Sequence, residues 1–295
     1  MLQPIATMTN DNATALPKLP PRPTESHKGD FGRALLVGGS SGMAGAVALA
    51  GMAALRSGAG LVTLAVPRPI LSTVASLEPS YMTVALPADA AGRISAAARE
   101  TIEVFVQRST AVACGPGLHQ SNELNELVGW LYTSVDRPMI VDADGLNALA
   151  MQRQILPQPG GPRIITPHPG EFARLAGRVV DDPQKRSALA VELARELRMV
   201  IVLKGHATLV TDGTHSWHNT TGNPGMATGG TGDVLTGVIT ALVCQGMPLL
   251  DAARLGVYVH GLAGDLAAAE LGEVSLIASD LPRFLPAAFQ QLAGA

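Results

Sequence analysis

Residues 33–66, RALLVGGSSGMAGAVALAGMAALRSGAGLVTLAV, decide the fold. RALLVGG (33–39) is a short apolar run ending in glycines, AGAVALAGMAALRS (44–57) is alanine-rich with helical spacing, and LVTLAV (61–66) is a second apolar run. Strand, helix and strand follow one another, and the same alternation continues outward. A helix near 68–77 leads to YMTVAL (81–86), one near 95–108 to AVACG (111–115), and one from Ser121 to Val135 to PMIVD (138–142). RIIT (163–166), a helix from Pro183 to Leu197 and MVIVL (199–203) come next. ATLVTD (207–212) and SWHN (216–219) read as a β-hairpin around Asp212-Gly213. Helices from Gly230 and Pro248 and a C-terminal helix close the chain. Such alternation specifies an α/β fold, a mainly parallel central sheet flanked by helices on both faces.

Composition agrees. The 295 residues are 47% apolar and 3% aromatic, which suits helices packed closely on a parallel sheet. A net charge of −3 with no basic face argues against nucleic acid and anionic membrane as partners. No run of about 18 apolar residues exists, and residues 249–271 carry Asp251, Arg254, His260 and Asp265. The first residues lack the apolar core of a signal peptide. Cys114 and Cys244 lie in apolar surroundings and read as buried free thiols. A cytoplasmic protein is expected, with a flexible lead-in over residues 1–26 and a single domain over 27–295.

Polar or glycine motifs follow five strands, where open α/β sheets bind ligands. In NPGMATGGTGDVLTGVITALVCQG (223–246), Gly229, Gly230 and Gly232 can turn backbone N–H groups toward an anion at a helix start. Asp233 there is either a base or a helix-stabilising acid. In LKGHAT (203–208), Lys204 can hold a phosphate or sit in a tight turn. In ITPHPGEF (165–172), the flanking prolines fix His168, and Glu171 falls near a helix start. In VDADGLN (141–147), Asp142 and Asp144 can orient a magnesium–phosphate unit or a hydroxyl, and Asp144 can equally cap the next helix. His206 and His218 give no zinc spacing with His168. No Walker A loop is present, and the Gly-x-Gly pairs at 58/60, 115/117 and 230/232 lack the third glycine of a dinucleotide fingerprint.

The ordered set HKGDFGRALLVGGSSGMAGA, GPGL, VDADGLNAL, TPHPGEFARL, KGHATLV and NPGMATGGTGDVLTGVI resembles the ADP/ATP-dependent NAD(P)H-hydrate dehydratases of the ribokinase-like superfamily. The likeness runs from about His27 past Tyr258. TPHPGE and the HKG, GGS and M-x-G-A elements point to the dehydratase branch; the glycine-turn aspartate is shared with the kinases. The resemblance implies a carbon–oxygen lyase of metabolite repair. It phosphorylates the hydroxyl of hydrated NADH or NADPH from ADP or ATP, with Mg2+, and then loses phosphate. On that resemblance Asp233 is the base, and Gly230, Thr231 and Gly232 form the anion hole. Lys204, Gly205, His206, Ala207 and Thr208, with Gly232, hold the adenine nucleotide. Ala46, Gly117 and His168 line the hydrate site with Asp233, while Asn147 and Glu171 help position substrate or magnesium. A homotetramer is implied, with small-residue helices at 44–60 and 252–269 packing either between subunits or within one. An epimerase that interconverts the hydrate epimers is expected on a separate chain. The rival readings are a kinase of a small vitamin-precursor alcohol and a non-catalytic nucleotide-binding module. Asp233 argues against the module, because an anion site gains nothing from a nearby negative charge.

Overall fold

The computed structural model describes residues 15–293. In chain order its elements are β1 (Arg33–Val37), α1 (Ala44–Arg56), β2 (Leu61–Pro67), α2 (Leu71–Leu77), β3 (Met82–Leu86), α3 (Arg99–Val106), β4 (Ala111–Cys114) and α4 (Asn122–Ser134). Then come β5 (Met139–Val141), α5 (Ala143–Ala150), β6 (Arg163–Ile165), α6 (Pro169–Ala176), α7 (Pro183–Leu197) and β7 (Val200–Leu203). β8 (Leu209–Thr211), β9 (Ser216–His218), α8 (Thr231–Cys244), α9 (Leu249–Leu271) and α10 (Leu281–Ala293) complete the fold.

The strands form one sheet in the order β3-β2-β1-β4-β5-β6-β7-β8-β9. It is parallel from β3 to β7, and the β8–β9 hairpin extends it in antiparallel fashion. The expected α/β architecture is therefore present. Successive residues of a strand point to opposite faces, so both faces need apolar cover. Ala34 and Leu36 of β1 join one core with residues of α1, α8, α9 and α10. Leu35 and Val37 join a second core with residues of α3 to α7. Both thiols are free and buried, and burial pushes each up to about 12.

Boundaries differ from the sequence reading where local chemistry intervenes. The helix expected near 68–77 begins as a 3₁₀ turn at Arg68–Ile70, set by Pro69. The one expected near 95–108 starts with a 3₁₀ turn at Ala96–Ala98. In the hairpin the connection spans residues 212–215, because Asp212 Oδ1 accepts from the backbone N–H groups of Thr214 and His215.

The chain runs outward from β1 to β2 and β3, then returns through α3 to β4 on the other side of β1. Strand order reverses there, and a crevice opens at the carboxyl ends of the strands. Its two loops are tied together: Gly39 N–H donates to the Pro116 carbonyl (2.8 Å), and Ser40 Oγ to that of Gly117 (2.8 Å). Gly117 has φ +66°, and a Cβ there would stand 2.6 Å from the Met43 carbonyl oxygen and 3.0 Å from Ala46 Cβ. Only glycine fits. A Cβ on Gly237 of α8 would likewise stand 2.0 Å from the Ala50 carbonyl oxygen, so α1 and α8 cross in backbone contact. These small residues therefore meet partners within the chain.

Of the lead-in, residues 15–26 touch the body. Leu19 packs on the core, Arg22 Nη2 donates to the Gly58 carbonyl and to Gln245 Oε1 (2.7 and 2.9 Å), and the Arg22 guanidinium lies 3.9 Å from the Phe31 ring centre. Residues 1–14 lie outside the described residues. Among the described residues no helix is long and apolar enough to cross a membrane.

Candidate active site

Helix α8 opens at Gly230, whose φ of +99° is left-handed, and no side chain caps it. The first N–H groups of a helix have no intrahelical partner and carry the positive end of its dipole. An uncapped glycine start leaves them facing outward for an anion. The Thr231 hydroxyl lies 3.1 Å from the Met226 and Thr228 carbonyl oxygens. Thr231 thus offers an anion its backbone N–H and keeps its side chain for the loop.

Asp233 follows in the first turn. Burial pushes its carboxyl up to about 7, and the nearby Asp142, Asp144 and Glu171 add to the rise while Lys204 opposes it. A carboxyl poised near neutrality can accept a proton at working pH.

Lys204 is the cation that faces Asp142 and Glu171. It follows β7, and its backbone N–H donates to the Pro167 carbonyl (2.8 Å), which joins the ends of β6 and β7. Its Nζ donates to Asp142 Oδ1 (2.7 Å) and lies 3.8 Å from Glu171 Oε2. A Cβ on Gly232 would stand 3.2 Å from that Nζ, so the ammonium sits beside the start of α8. Burial alone would lower the Lys204 pKa, but Asp142 and Glu171 outweigh it and hold the ammonium above its ordinary value.

Asp142, 1% exposed, joins three elements. It stands at the N-cap of α5 without making a capping bond. Its Oδ1 accepts from Lys204 and its Oδ2 from Thr236 Oγ1 of α8 (2.7 Å). Asp144 does not cap α5 with its side chain either: it accepts from the His119 backbone N–H (2.8 Å) and from Asn147 Nδ2 (3.2 Å). Asn147 Oδ1 in turn accepts from Arg174 Nε (2.9 Å).

His168 and Glu171 form a reciprocal cap on α6. His168 Nδ1 accepts from the backbone N–H groups of Gly170 (3.0 Å) and Glu171 (3.4 Å), and Glu171 Oε2 accepts from the His168 N–H (2.8 Å). Nδ1 must then be unprotonated, which leaves Nε2 as the donor of a neutral ring. Burial and the Lys204 and Arg174 cations lower the His168 pKa and favour that neutral form. Burial raises Glu171 to about 7, with Asp142 adding to the rise and Lys204 opposing it.

A cavity of about 580 Å³ adjoins this ledge. Lys204, Gly205, His206, Ala207 and Thr208 line one side, and Thr231 and Gly232 another. His260 stands on its wall with Nε2 2.9 Å from the Thr231 carbonyl oxygen; burial pushes the imidazole down to about 4, so Nε2–H donates.

The structure thus brings Gly230, Thr231, Gly232, Asp233, Lys204, His168 and Glu171 to one ledge. Gly205 to Thr208 lie along the adjoining cavity, and Ala46 meets Gly117 at the crevice between β1 and β4. Asn147 stands one hydrogen bond behind, between Asp144 and Arg174. Sequence reasoning named Asp142 only as an acid that can orient a magnesium–phosphate unit or a hydroxyl, and it did not place Thr236, Arg174 or His260 in the site. Asp142 carried a signal, an acid at a strand end, but its partners are 62 and 94 residues away. Thr236 and His260 lie inside apolar helices and carried none.

A family model described as NAD(P)H-hydrate dehydratase matches residues 34–286. The bifunctional NAD(P)H-hydrate repair enzyme Nnr of Moorella thermoacetica is 45% identical over 93% of this chain, and the chain spans about half of that enzyme's length (52%). The ADP-dependent (S)-NAD(P)H-hydrate dehydratase of Bacillus subtilis is 38% identical over 91% of this chain and 92% of its own. Among solved structures, the B. subtilis ADP/ATP-dependent NAD(P)H-hydrate dehydratase co-crystallised with ATP and Mg2+ superposes with a TM-score of 0.79, at 35% identity over 93% of this chain and 94% of that one. A ribokinase-like superfamily protein of Enterococcus faecalis gives a TM-score of 0.80 at 26% identity, over 93% and 92% of the two chains. The fold is ribokinase-like.

Proposed function

The chain belongs to the NAD(P)H-hydrate dehydratase family, and from that premise we propose that it restores NADH and NADPH from their hydrates with an adenine nucleotide as phosphoryl donor. The adenine nucleotide occupies the cavity along Lys204–Thr208, and its terminal phosphate meets the open N–H groups of Gly230, Thr231 and Gly232. The hydrate lies against Ala46, Gly117 and His168, with its hydroxyl at Asp233. Asp233 takes the hydroxyl proton while the oxygen bonds to phosphorus and the donor's phosphoanhydride bond breaks. Loss of that phosphate together with a ring proton regenerates the double bond. Lys204 and the helix terminus stabilise the charge that moves, which is most of what phosphoryl transfer asks of a protein.

Among the described residues no group of three or more His, Cys, Asp or Glu could cage a metal. Asp142 is engaged by Lys204 and Thr236, so a magnesium ion would be carried on the nucleotide phosphates and water, with Glu171 as the nearby carboxylate to position it. Bound there, magnesium would supply charge neutralisation.

The observation that carries this reading is Asp233, held near neutrality in the first turn of an uncapped helix beside Lys204. Purified protein incubated with NADH hydrate, magnesium and either ADP or ATP should restore reduced-nicotinamide absorbance, and the nucleotide that works names the donor. Binding of adenine nucleotide without recovery would contradict the proposal. The two buried thiols support a reducing, cytoplasmic location, and an epimerase for the hydrate epimers is the functional partner. Exposed Leu77, Met82, Val274 and Ile277 supply apolar surface for a homotetramer. Light scattering tests that assembly, and a monomer would contradict it.

A further inference from the structure

A cavity of about 710 Å³ opens beyond the His168 loop, between α6 and the start of α7. Pro169 and Gly170 line it, so it begins next to His168. Arg174, Arg178 and Arg186 line it as well, with Asp181 as the one acid. Among the described residues no carboxylate lies within 4.0 Å of any of the three guanidinium groups.

Each arginine is placed differently. Arg174 is braced by Asn147, and its Nη1 lies 3.8 Å from where a Cβ on Gly170 would stand, over the His168 loop. Arg186 holds the Val180 and Asp181 carbonyls (2.9 and 2.7 Å) and thereby fixes the wall. Arg178 is exposed and makes no side-chain hydrogen bond or ion pair among the described residues. Like charges around one cavity repel. A chain of net charge −3 has carboxylates to spare for pairing, yet among the described residues none, Asp181 included, forms an ion pair with these three. The fold uses Arg174 and Arg186 for local hydrogen bonds but makes no such use of Arg178, whereas a phosphate would meet planar donor forks suited to it.

We propose that this cavity takes phosphate on the adenosine side of the dinucleotide. Arg174 and Arg178 would be the ligands, with Arg186 fixing the wall. The inference rests on the reading that a nicotinamide hydrate lies at His168 and Asp233: from there the dinucleotide continues past Pro169 and Gly170 to the arginines. The phosphate is either the adenosine-side phosphate of the diphosphate bridge, which both dinucleotides carry and the nicotinamide mononucleotide lacks, or the 2′-phosphate of NADPH.

Binding of the reaction products tests this without turnover. With ADP saturating the cavity along Lys204–Thr208, the wild type and Arg178→Ala are titrated calorimetrically with NADH, NADPH and reduced nicotinamide mononucleotide. Loss of one guanidinium–phosphate contact should weaken binding about tenfold. Weakening of both dinucleotides with the mononucleotide unchanged assigns the bridge; weakening of NADPH alone assigns the 2′-phosphate. Either result supports the site. Unchanged dinucleotide binding, equal weakening of all three ligands, or a wild type that binds neither dinucleotide overturns it. A protein that binds NADPH through Arg178 but restores no hydrate keeps this site and contradicts the proposed activity instead.

Discussion

Two cations, Arg163 buried and Lys204 partly buried, lie at opposite ends of neighbouring parallel strands, and they are satisfied in opposite ways. Arg163 begins β6 and is 1% exposed. Its guanidinium donates to four backbone carbonyls, of Arg137 (3.1 Å), Pro162 (3.0 Å), Tyr132 (2.6 Å) and Val135 (2.6 Å). Burial pushes its pKa down to about 10, so it stays charged against neutral partners. Lys204 follows β7 at the other end and is met by Asp142 and Glu171, with Asp233 also within its field. One cation cannot neutralise two buried carboxylates and a half-buried third, so the burial and the excess negative charge hold Asp233 and Glu171 near 7. The carbonyl clamp closes a loop and titrates nowhere near neutrality. The carboxylate-rich ledge costs stability and keeps a proton acceptor ready. Perturbed carboxyls of this kind are the reason the proposed active site is put at this end of the sheet.

Substitutions at the two ends should separate these roles. The largest effect belongs to Asp233→Asn, which should lower turnover of the hydrate by about 10³-fold, the range of a lost general base. The fold should not suffer. Asp233 titrates at about 7 in the folded chain against 3.8 in its ordinary state, so ionising it opposes folding as pH rises from about 4 through 7. The Asn variant should therefore melt at the same or a higher temperature than the wild type at pH 8, and a clearly lower melting point would break the contrast. Arg163→Ala should do the reverse. Its four carbonyls lose their donor and a cavity is left, for a loss of about 3–5 kcal/mol in urea unfolding. kcat per folded molecule should stay at the wild-type value, and a fall in kcat would tie the two ends together.

Asp142→Asn should act more gently. Asp142 is, after burial, the chief cause that raises Asp233. Neutralising it keeps the side chain's shape, frees Lys204 to act on Asp233, and should move the acidic limb of the pH–rate profile down by about one pH unit. A limb that stays in place would remove Asp142 from the set of groups that tune the base.

The layered sheet was legible because apolar runs of strand length alternate with helical spacing from Arg33 onward. The order of the strands was not, since adjacency of β1 to β4 is a pairing across 77 residues between loops that only the folded chain brings together. The same distance rule divides the site. Asp233 and its glycines are local and were visible in one stretch. The His168–Glu171 cap is local too, but a histidine in place of the usual serine or threonine hides the capping signature. Asp142 was visible as an acid after a strand. Its bonds to Lys204 and Thr236, and with them the charge imbalance that defines the ledge, depend on tertiary packing that no local pattern encodes.

The most direct test is the pH dependence of kcat/KM for hydrate turnover by the unmodified protein between pH 5 and 9. A base at Asp233 must be ionised to act, so kcat/KM should climb through an apparent pKa of about 7, shared with Glu171 where the two titrations couple. A profile flat from pH 5 upward, as an ordinary exposed aspartate would give, contradicts the claim that the ledge poises its base near neutrality.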